Sequence, residues 1–194
     1  MKKSLFFLFV VCSVLPAWAA KQYSYFRVGN PNDVTTSTTA GTVLMGGGTD
    51  VDAAFQWMCQ RSSNGDFLVI RATGTDAYNP YIQQLCPNEN SVSTLIIPNR
   101  TAANDPFVAS TIQNAEALWI AGGDQSNYIN FWTGTPVESG VNALIARSVP
   151  VGGTSAGMNV LSQFVYSAWA ARASPQARPL LILLTGTSRW RKTS

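Results

Sequence analysis

The sequence predicts an α/β domain built on a parallel sheet, and two observations carry that expectation. Five short β-rich runs recur along the chain, each closed by glycine, a polar turn or proline: GTVLMGGG (41–48), DFLVIRATG (66–74), VSTLIIPN (92–99), EALWIAGGD (116–124) and VPVGG (149–153). Segments with helical signals fill the gaps, so strand and helix alternate with a period of roughly 20–30 residues, the length of a strand–helix unit. At 194 residues, 46% apolar and only 12% charged, the chain is large enough to bury the core such a sheet needs.

Taken in order, the first element is MKKSLFFLFVVCSVLPAWAA, in which Lys2 and Lys3 precede an apolar stretch from Leu5 to Leu15 and the small-x-small triplet Ala17-Trp18-Ala19. That order is read as a secretory signal over residues 1–19, with the mature chain starting near Ala20. The apolar core is well short of the ~20 residues that span a bilayer as a helix. The first strand run (41–48) is followed by TDVDAAFQWMCQRS (49–62), an Asp-rich start leading into good helix formers. After the second run, a helix is expected from Asp76 to about Leu85, and after the third, one from Asp105 to Asn114. After the fourth, helical sequence runs from Ser126 to Arg147, broken by TGTP at 133–136. The fifth run leads directly into AGMNVLSQFVY, again helical in character. Beyond about Ser167 the text changes to AWAARASPQARPLLILLTGTSRWRKTS, with one short apolar run at Leu180–Leu184 and no further glycine-closed unit. The expected organisation is therefore a signal (1–19), an α/β domain (20–168) and a divergent basic tail (169–194).

Charge follows the same division. From Lys21 to Ala168 six basic residues face ten acidic ones, a balance of −4, whereas the tail holds five basic residues and no acid. Five charges dispersed over the tail, with Trp190 the one aromatic set between basic residues, are a poor nucleic-acid platform, so no nucleic-acid partner is expected. Signal cleavage would remove Cys12 and leave Cys59 and Cys86, which either pair in an oxidising compartment or stay as two buried thiols; the sequence leaves both open. With no histidine anywhere and no metal-like cysteine spacing, neither a metal nor a cofactor is expected.

Parallel α/β sheets gather functional loops at the carboxyl ends of their strands. Three glycine-rich loops fall there: Gly46-Gly47-Gly48, Gly122-Gly123-Asp124 and Gly152 to Gly157. Within the last, GTSAG (153–157) satisfies G-x-S-x-G between an apolar strand and a helix, the pattern of a nucleophile elbow. Ser155 is then a candidate nucleophile. Its own amide and that of Ala156 are expected to face developing negative charge, with Gly123 as the candidate second donor from a neighbouring loop.

WIAGGDQSNY (119–128) followed by VPVGGTSAG (149–157), with VLMGGGTD (43–50) upstream, resembles the cyanophycinase and dipeptidase E family of serine peptidases over roughly Val43 to Tyr166. The resemblance implies a three-layer α/β sandwich with a mostly parallel sheet. It also implies Ser155 as nucleophile, the amides of Gly123 and Ala156 as oxyanion hole, and Asp124 and Gln125 as substrate-contacting residues. Met158 stands where the family more often has a small residue. The larger departure lies downstream. A serine hydroxyl needs a base, the family's base is a histidine after the elbow oriented by a carboxylate, and this sequence has no histidine and no acid after Glu138.

The expectation is a family fold lacking its C-terminal part, with an exposed sheet edge that invites aggregation or partner binding, a homodimer included. The function implied by the resemblance is a secreted serine-type peptidase acting on aspartyl or isoaspartyl bonds in dipeptides or a cyanophycin-like polymer. The competing reading is a catalytically inactive remnant, or a small-ligand or peptide binding module, that keeps the same loops as a pocket.

Overall fold

The computed structural model describes residues 22–162, 164–166, 181–185 and 189–191; the expected signal and most of the expected basic tail lie outside the described residues. All five anticipated strands form: β2 (Thr42–Met45), β3 (Asp66–Arg71), β4 (Ser91–Ile96), β5 (Ala117–Ile120) and β6 (Val151–Thr154). Ahead of them runs β1 (Ser24–Gly29), a strand outside the five expected runs. The six make one sheet in the order β1-β4-β3-β5-β6-β2, parallel throughout except for the antiparallel β1–β4 edge pair. The sequence signal for β1 was present in SYFRVG, where the strand-favouring Tyr25, Phe26 and Val28 are closed by glycine. Tyr23 and Tyr25 pack their rings on Phe107, at 5.1 and 5.2 Å between centroids.

Among the described residues seven helices pack around the sheet: α1 (Asp52–Ser62), α2 (Tyr78–Leu85), α3 (Arg100–Ala103), α4 (Pro106–Gln113), α5 (Gln125–Trp132), α6 (Pro136–Ala146) and α7 (Ala156–Val160). Their starts obey local chemistry. Asp105 and Thr135 cap α4 and α6 by accepting the Phe107 and Val137 amides, each with proline at the first helical position, where no amide hydrogen is needed. The TGTP sequence is thus the cap of α6 as well as the break after α5. The unforeseen α3 is a single turn capped by Asn99, too short to leave a periodic signature.

Side chains of β3 divide the core. Phe67 and Val69 face one side with Phe55 and Met58 of α1 and Ile82 of α2, while Leu68 and Ile70 face the other with Val108 and Ile112 of α4 and Val141 and Leu144 of α6. Helices therefore cover both faces of the sheet, making three layers, and this is why β3 (Phe67 to Ile70) and β5 read as unbroken apolar runs. A second sheet, antiparallel, consists of β7 (Phe164–Tyr166), β8 (Leu181–Thr185) and β9 (Arg189–Arg191) in that order. The boundary expected at residue 168 falls between β7 and β8, which pair with each other. Among the described residues no helix is long and apolar enough to cross a membrane.

Two features tie the fold down away from the glycine loops. Cys59 of α1 and Cys86 after α2 form a disulfide with Cα atoms 6.3 Å apart, which settles the alternative left by the sequence. At the amino ends of the central strands, Asp66 binds Arg27 of β1 at 2.9 Å, the Val34 amide at 3.2 Å, Asn90 at 2.8 Å and the Ser91 hydroxyl. Glu116 accepts the Asp66 amide at 2.9 Å, and Glu89 accepts the Ser62 hydroxyl at 2.6 Å. Burial pushes both glutamate carboxyls up to about 7, because ionisation there would strip charge of water beside the negative Asp66.

Candidate functional site

Strands β5, β6 and β2 are consecutive neighbours in the sheet, so the three glycine loops that follow them meet at one edge. Ser155 sits at the centre of that edge, immediately after β6 and immediately before α7. Its backbone has φ 52° and ψ −118°, a region L-residues avoid and one that costs of order 1–3 kcal/mol to occupy. Ser155 is exposed, whereas Thr154 before it and Ala156 and Gly157 after it are buried. The strain thus lifts one hydroxyl out of a packed turn.

The glycines of the motif are there for space. A methyl group on Gly157 would stand 1.9 Å from the Ile120 carbonyl oxygen, and one on Gly153 would stand 2.6 Å from the Gly157 backbone. These contacts press the first turn of α7 onto the end of β5, which holds Ser155 against the loop that β5 carries. A methyl on Gly122 would lie 3.5 Å from Ser155 Cβ, and one on Gly47 would lie 3.7 Å from Ser155 Oγ. The hydroxyl is therefore flanked by bare backbone on both sides, room that a planar carbonyl group could use.

The predicted residues fall out as follows. Ala156 is the first residue of α7, where an amide has no intrahelical acceptor. Gly123 is exposed in the loop next to Ser155. The amide of Ser155 itself corrects an expectation: it donates to the Met45 carbonyl at 3.0 Å, continuing the β6–β2 ladder, and so does not face the site. Asp124 is the N-cap of α5, accepting the Ser126 amide at 3.0 Å and the Ser126 hydroxyl at 2.6 Å, which gives its carboxylate a structural task. Gln125 opens α5 and is half-buried.

Other supports had no motif to announce them. Tyr128 is fully buried, stacked on Trp132 at 4.4 Å, and its hydroxyl lies 2.8 Å from the Ala121 carbonyl and 3.1 Å from that of Gly122. It anchors the Gly122-Gly123 loop from beneath, and burial pushes the hydroxyl up to about 12 so that it stays protonated and donating. Thr154 Oγ1 donates to the Gly46 carbonyl at 2.9 Å and ties the first glycine loop to the elbow. The only advance signal for Tyr128 was its position one helical turn past the GGD loop.

Beyond Gly48 the same edge opens into a pocket of about 450 Å³ lined by Thr49, Asp50, Asp52, Ala77, Tyr78 and Tyr81. Tyr78 donates to Asp50 at 2.8 Å and Tyr81 to Asp52 at 2.6 Å. Burial is the main cause that raises both hydroxyls, Tyr78 to about 12, followed by the carboxylates they bind. No imidazole is available to Ser155 anywhere in the sequence.

Comparison with known proteins agrees with this geometry. The sequence pattern of peptidase family S51 matches residues 43–179, which contain all three glycine loops. Among solved structures the chain is similar to a peptidase from an acI-B1 Actinobacterium, with a TM-score of 0.52 and 18% identity over 66% of this chain. At that identity the likeness is one of fold. The match spans 59% of the length of that peptidase. No curated protein matches the sequence.

Proposed function

The chain belongs to peptidase family S51, the cyanophycinase and dipeptidase E family, and from that premise we propose a serine-type peptidase acting through Ser155 on aspartyl or isoaspartyl bonds, in small peptides or a cyanophycin-like polymer. The observation that carries the reading is the backbone of Ser155, strained at φ 52° and ψ −118° and exposed between buried neighbours beside Gly47 and Gly122. Strain of this kind persists only where the surrounding packing enforces it, and an elbow nucleophile is what it serves here.

In the proposed reaction Ser155 Oγ attacks the carbonyl carbon of the scissile bond. The Gly123 and Ala156 amides receive the negative charge that builds on the carbonyl oxygen, the leaving amine departs with a proton, and water then hydrolyses the ester. The step that these 194 residues serve poorly is removal of the serine proton, because the usual imidazole is missing. The chain by itself is therefore expected to be slow, keeping the ~10³–10⁴-fold advantage over water that binding and an oxyanion hole supply without a base. A binding module that holds aspartyl peptides without turnover is the second reading, favoured by the same missing base. Export through the N-terminal signal accompanies either reading, and the Cys59–Cys86 disulfide supports an oxidising destination, secreted or periplasmic.

The test is incubation of the purified chain, beside Ser155→Ala, with a fluorophosphonate probe and with a β-aspartyl dipeptide. Slow labelling of Ser155 and slow hydrolysis, both lost in Ser155→Ala, are expected. Equal labelling of the two proteins would remove Ser155 as the nucleophile, and rapid turnover by the unmodified chain would show that another group serves as base.

A further inference from the structure

The elbow explains how a carbonyl is attacked; it does not explain what selects an aspartyl residue. Arg71, the last residue of β3, stands at the same edge and has no part in the elbow. Its guanidinium is pinned rather than loose: Nε donates to the Thr73 carbonyl at 2.7 Å and Nη1 to the Thr75 carbonyl at 3.0 Å, so the β3–α2 loop wraps the head group. Both bonds go to neutral carbonyls, and among the described residues no carboxylate lies within ion-pair distance of Arg71. A half-buried arginine in a fixed pose with its charge uncompensated is prepared for an anion from outside, and its planar fork suits a carboxylate.

Its position fits the elbow. Ile70 of β3 is in register with Ile120 of β5, and Ile120 with Gly153 of β6, so Arg71 and Thr154 stand level across two strand spacings, about 10 Å apart at the backbone. The gap is bridged by the loop already described: Tyr128 contacts the Gly122 carbonyl and the Ala72 backbone, and the charge of Arg71 opposes the burial that raises both Tyr128 and Tyr78. The two carboxyl carbons of an aspartyl residue lie three bonds, about 4 Å, apart, so a substrate with its carbonyl at Ser155 covers part of the gap and the Arg71 side chain covers the rest. Asp50 and Asp52, which bind Tyr78 and Tyr81, repel an anionic group, and among the described residues Arg71 is the cation that stands level with the elbow. Arg100 binds the Asn130 and Thr133 carbonyls at the far end of α5, about 12 Å along the helix from the Gly122-Gly123 loop.

We propose that Arg71 is the specificity residue of this site, holding the free carboxylate of the substrate's aspartyl residue while its carbonyl lies at Ser155. The inference rests on the aspartyl-peptidase reading above and goes beyond it by naming the anchor.

Binding tests it without requiring turnover. In the Ser155→Ala chain, calorimetry measures Kd for β-aspartyl-alanine and for its analogue with the aspartyl α-carboxylate replaced by a carboxamide. The carboxylate peptide is expected to bind about 10- to 100-fold more tightly, the value of a charge-assisted hydrogen-bonded pair. Arg71→Met should abolish the preference, and Arg71→Lys should keep a severalfold smaller one. A loop disturbed only in shape weakens both peptides alike, so the ratio separates recognition from folding. If Arg71→Met binds neither peptide, the Lys variant decides: an undiminished preference there overturns the proposal and a diminished one supports it. A preference that survives in Arg71→Met overturns the assignment while leaving the aspartyl reading intact. A parent chain that binds neither peptide, or both equally, overturns both.

Discussion

Replacing Gly157 by alanine puts one methyl group where the fold has no room, and the consequence is calculable. The added Cβ would stand 1.9 Å from the Ile120 carbonyl oxygen, 2.6 Å from the Ile120 carbonyl carbon and 2.7 Å from the Ala121 carbonyl oxygen. A carbon and a carbonyl oxygen rest no closer than about 3.3 Å, so the shortfall is roughly 1.4 Å. All three obstructing atoms are backbone, and no side-chain rotation can relieve them. The first turn of α7 must move away from the end of β5, which loosens Ser155 from the Gly122-Gly123 loop. Overpacking of this sort costs about 3 kcal/mol or more, a fall in Tm of roughly 6–12 °C for a domain of this size. A displacement near 1 Å at a reacting group also costs about 100-fold in rate, so labelling of Ser155 should slow by that order. Urea unfolding followed by tryptophan fluorescence measures the first effect, and timed fluorophosphonate labelling the second. Gly46→Ala is the internal control: it lies in the facing loop, its added methyl meets nothing within 4 Å, and it should change stability by less than about 0.5 kcal/mol. Equal stability of the two variants would refute the argument that the elbow glycine is a steric necessity.

Further outcomes follow from the disulfide and from the buried glutamates. Opening the Cys59–Cys86 bridge, by reduction or by Cys59→Ser with Cys86→Ser, should lower the unfolding free energy by about 3–4 kcal/mol for a loop of 27 residues; unchanged urea midpoints with and without reductant would contradict this. Glu89 and Glu116 have native carboxyls raised to about 7 from an ordinary 4.5, so the unfolded chain releases protons first. Their stabilisation is complete below pH 4.5, is lost as pH rises to about 7 and is flat beyond, which makes the chain more resistant to urea at pH 5 than at pH 8. Glu89 alone sets an upper bound of about 3 kcal/mol on its share, and Glu89→Gln should flatten the profile. A midpoint that rises with pH over this range would show that other groups dominate.

Strands β3 and β5 were legible because each is buried on both faces, which leaves an apolar run, whereas the exposed edge strand β2 was marked by the Gly46-Gly47-Gly48 turn that closes it. The elbow was legible because steric necessity wrote itself into GTSAG: the atoms around Gly153 and Gly157 tolerate no side chain. What escaped was set by partners distant in sequence. β1 is an edge strand with alternating exposure, and its place beside β4 depends on Arg27 meeting Asp66 and on two tyrosines finding Phe107. Tyr128 beneath the Gly122-Gly123 loop and Arg71 wrapped by its own loop gain their meaning only from which backbone carbonyls fold onto them. The Ser155 amide was assigned to the site from the generic elbow, and the register of β6 on β2 instead commits it to Met45.

Whether Ser155 is an elbow nucleophile short only of a base is tested most directly by supplying the base. The chain and its Ser155→Ala variant are assayed on a β-aspartyl anilide at pH 7.5 across a series of imidazole concentrations. Hydrolysis by the unmodified chain should climb with imidazole by at least about tenfold, less than the ~10²–10⁴-fold of a general base held in place because free imidazole is not positioned, while Ser155→Ala stays at the rate of imidazole alone. Rates that are the same for both proteins at every imidazole concentration would contradict the nucleophile assignment.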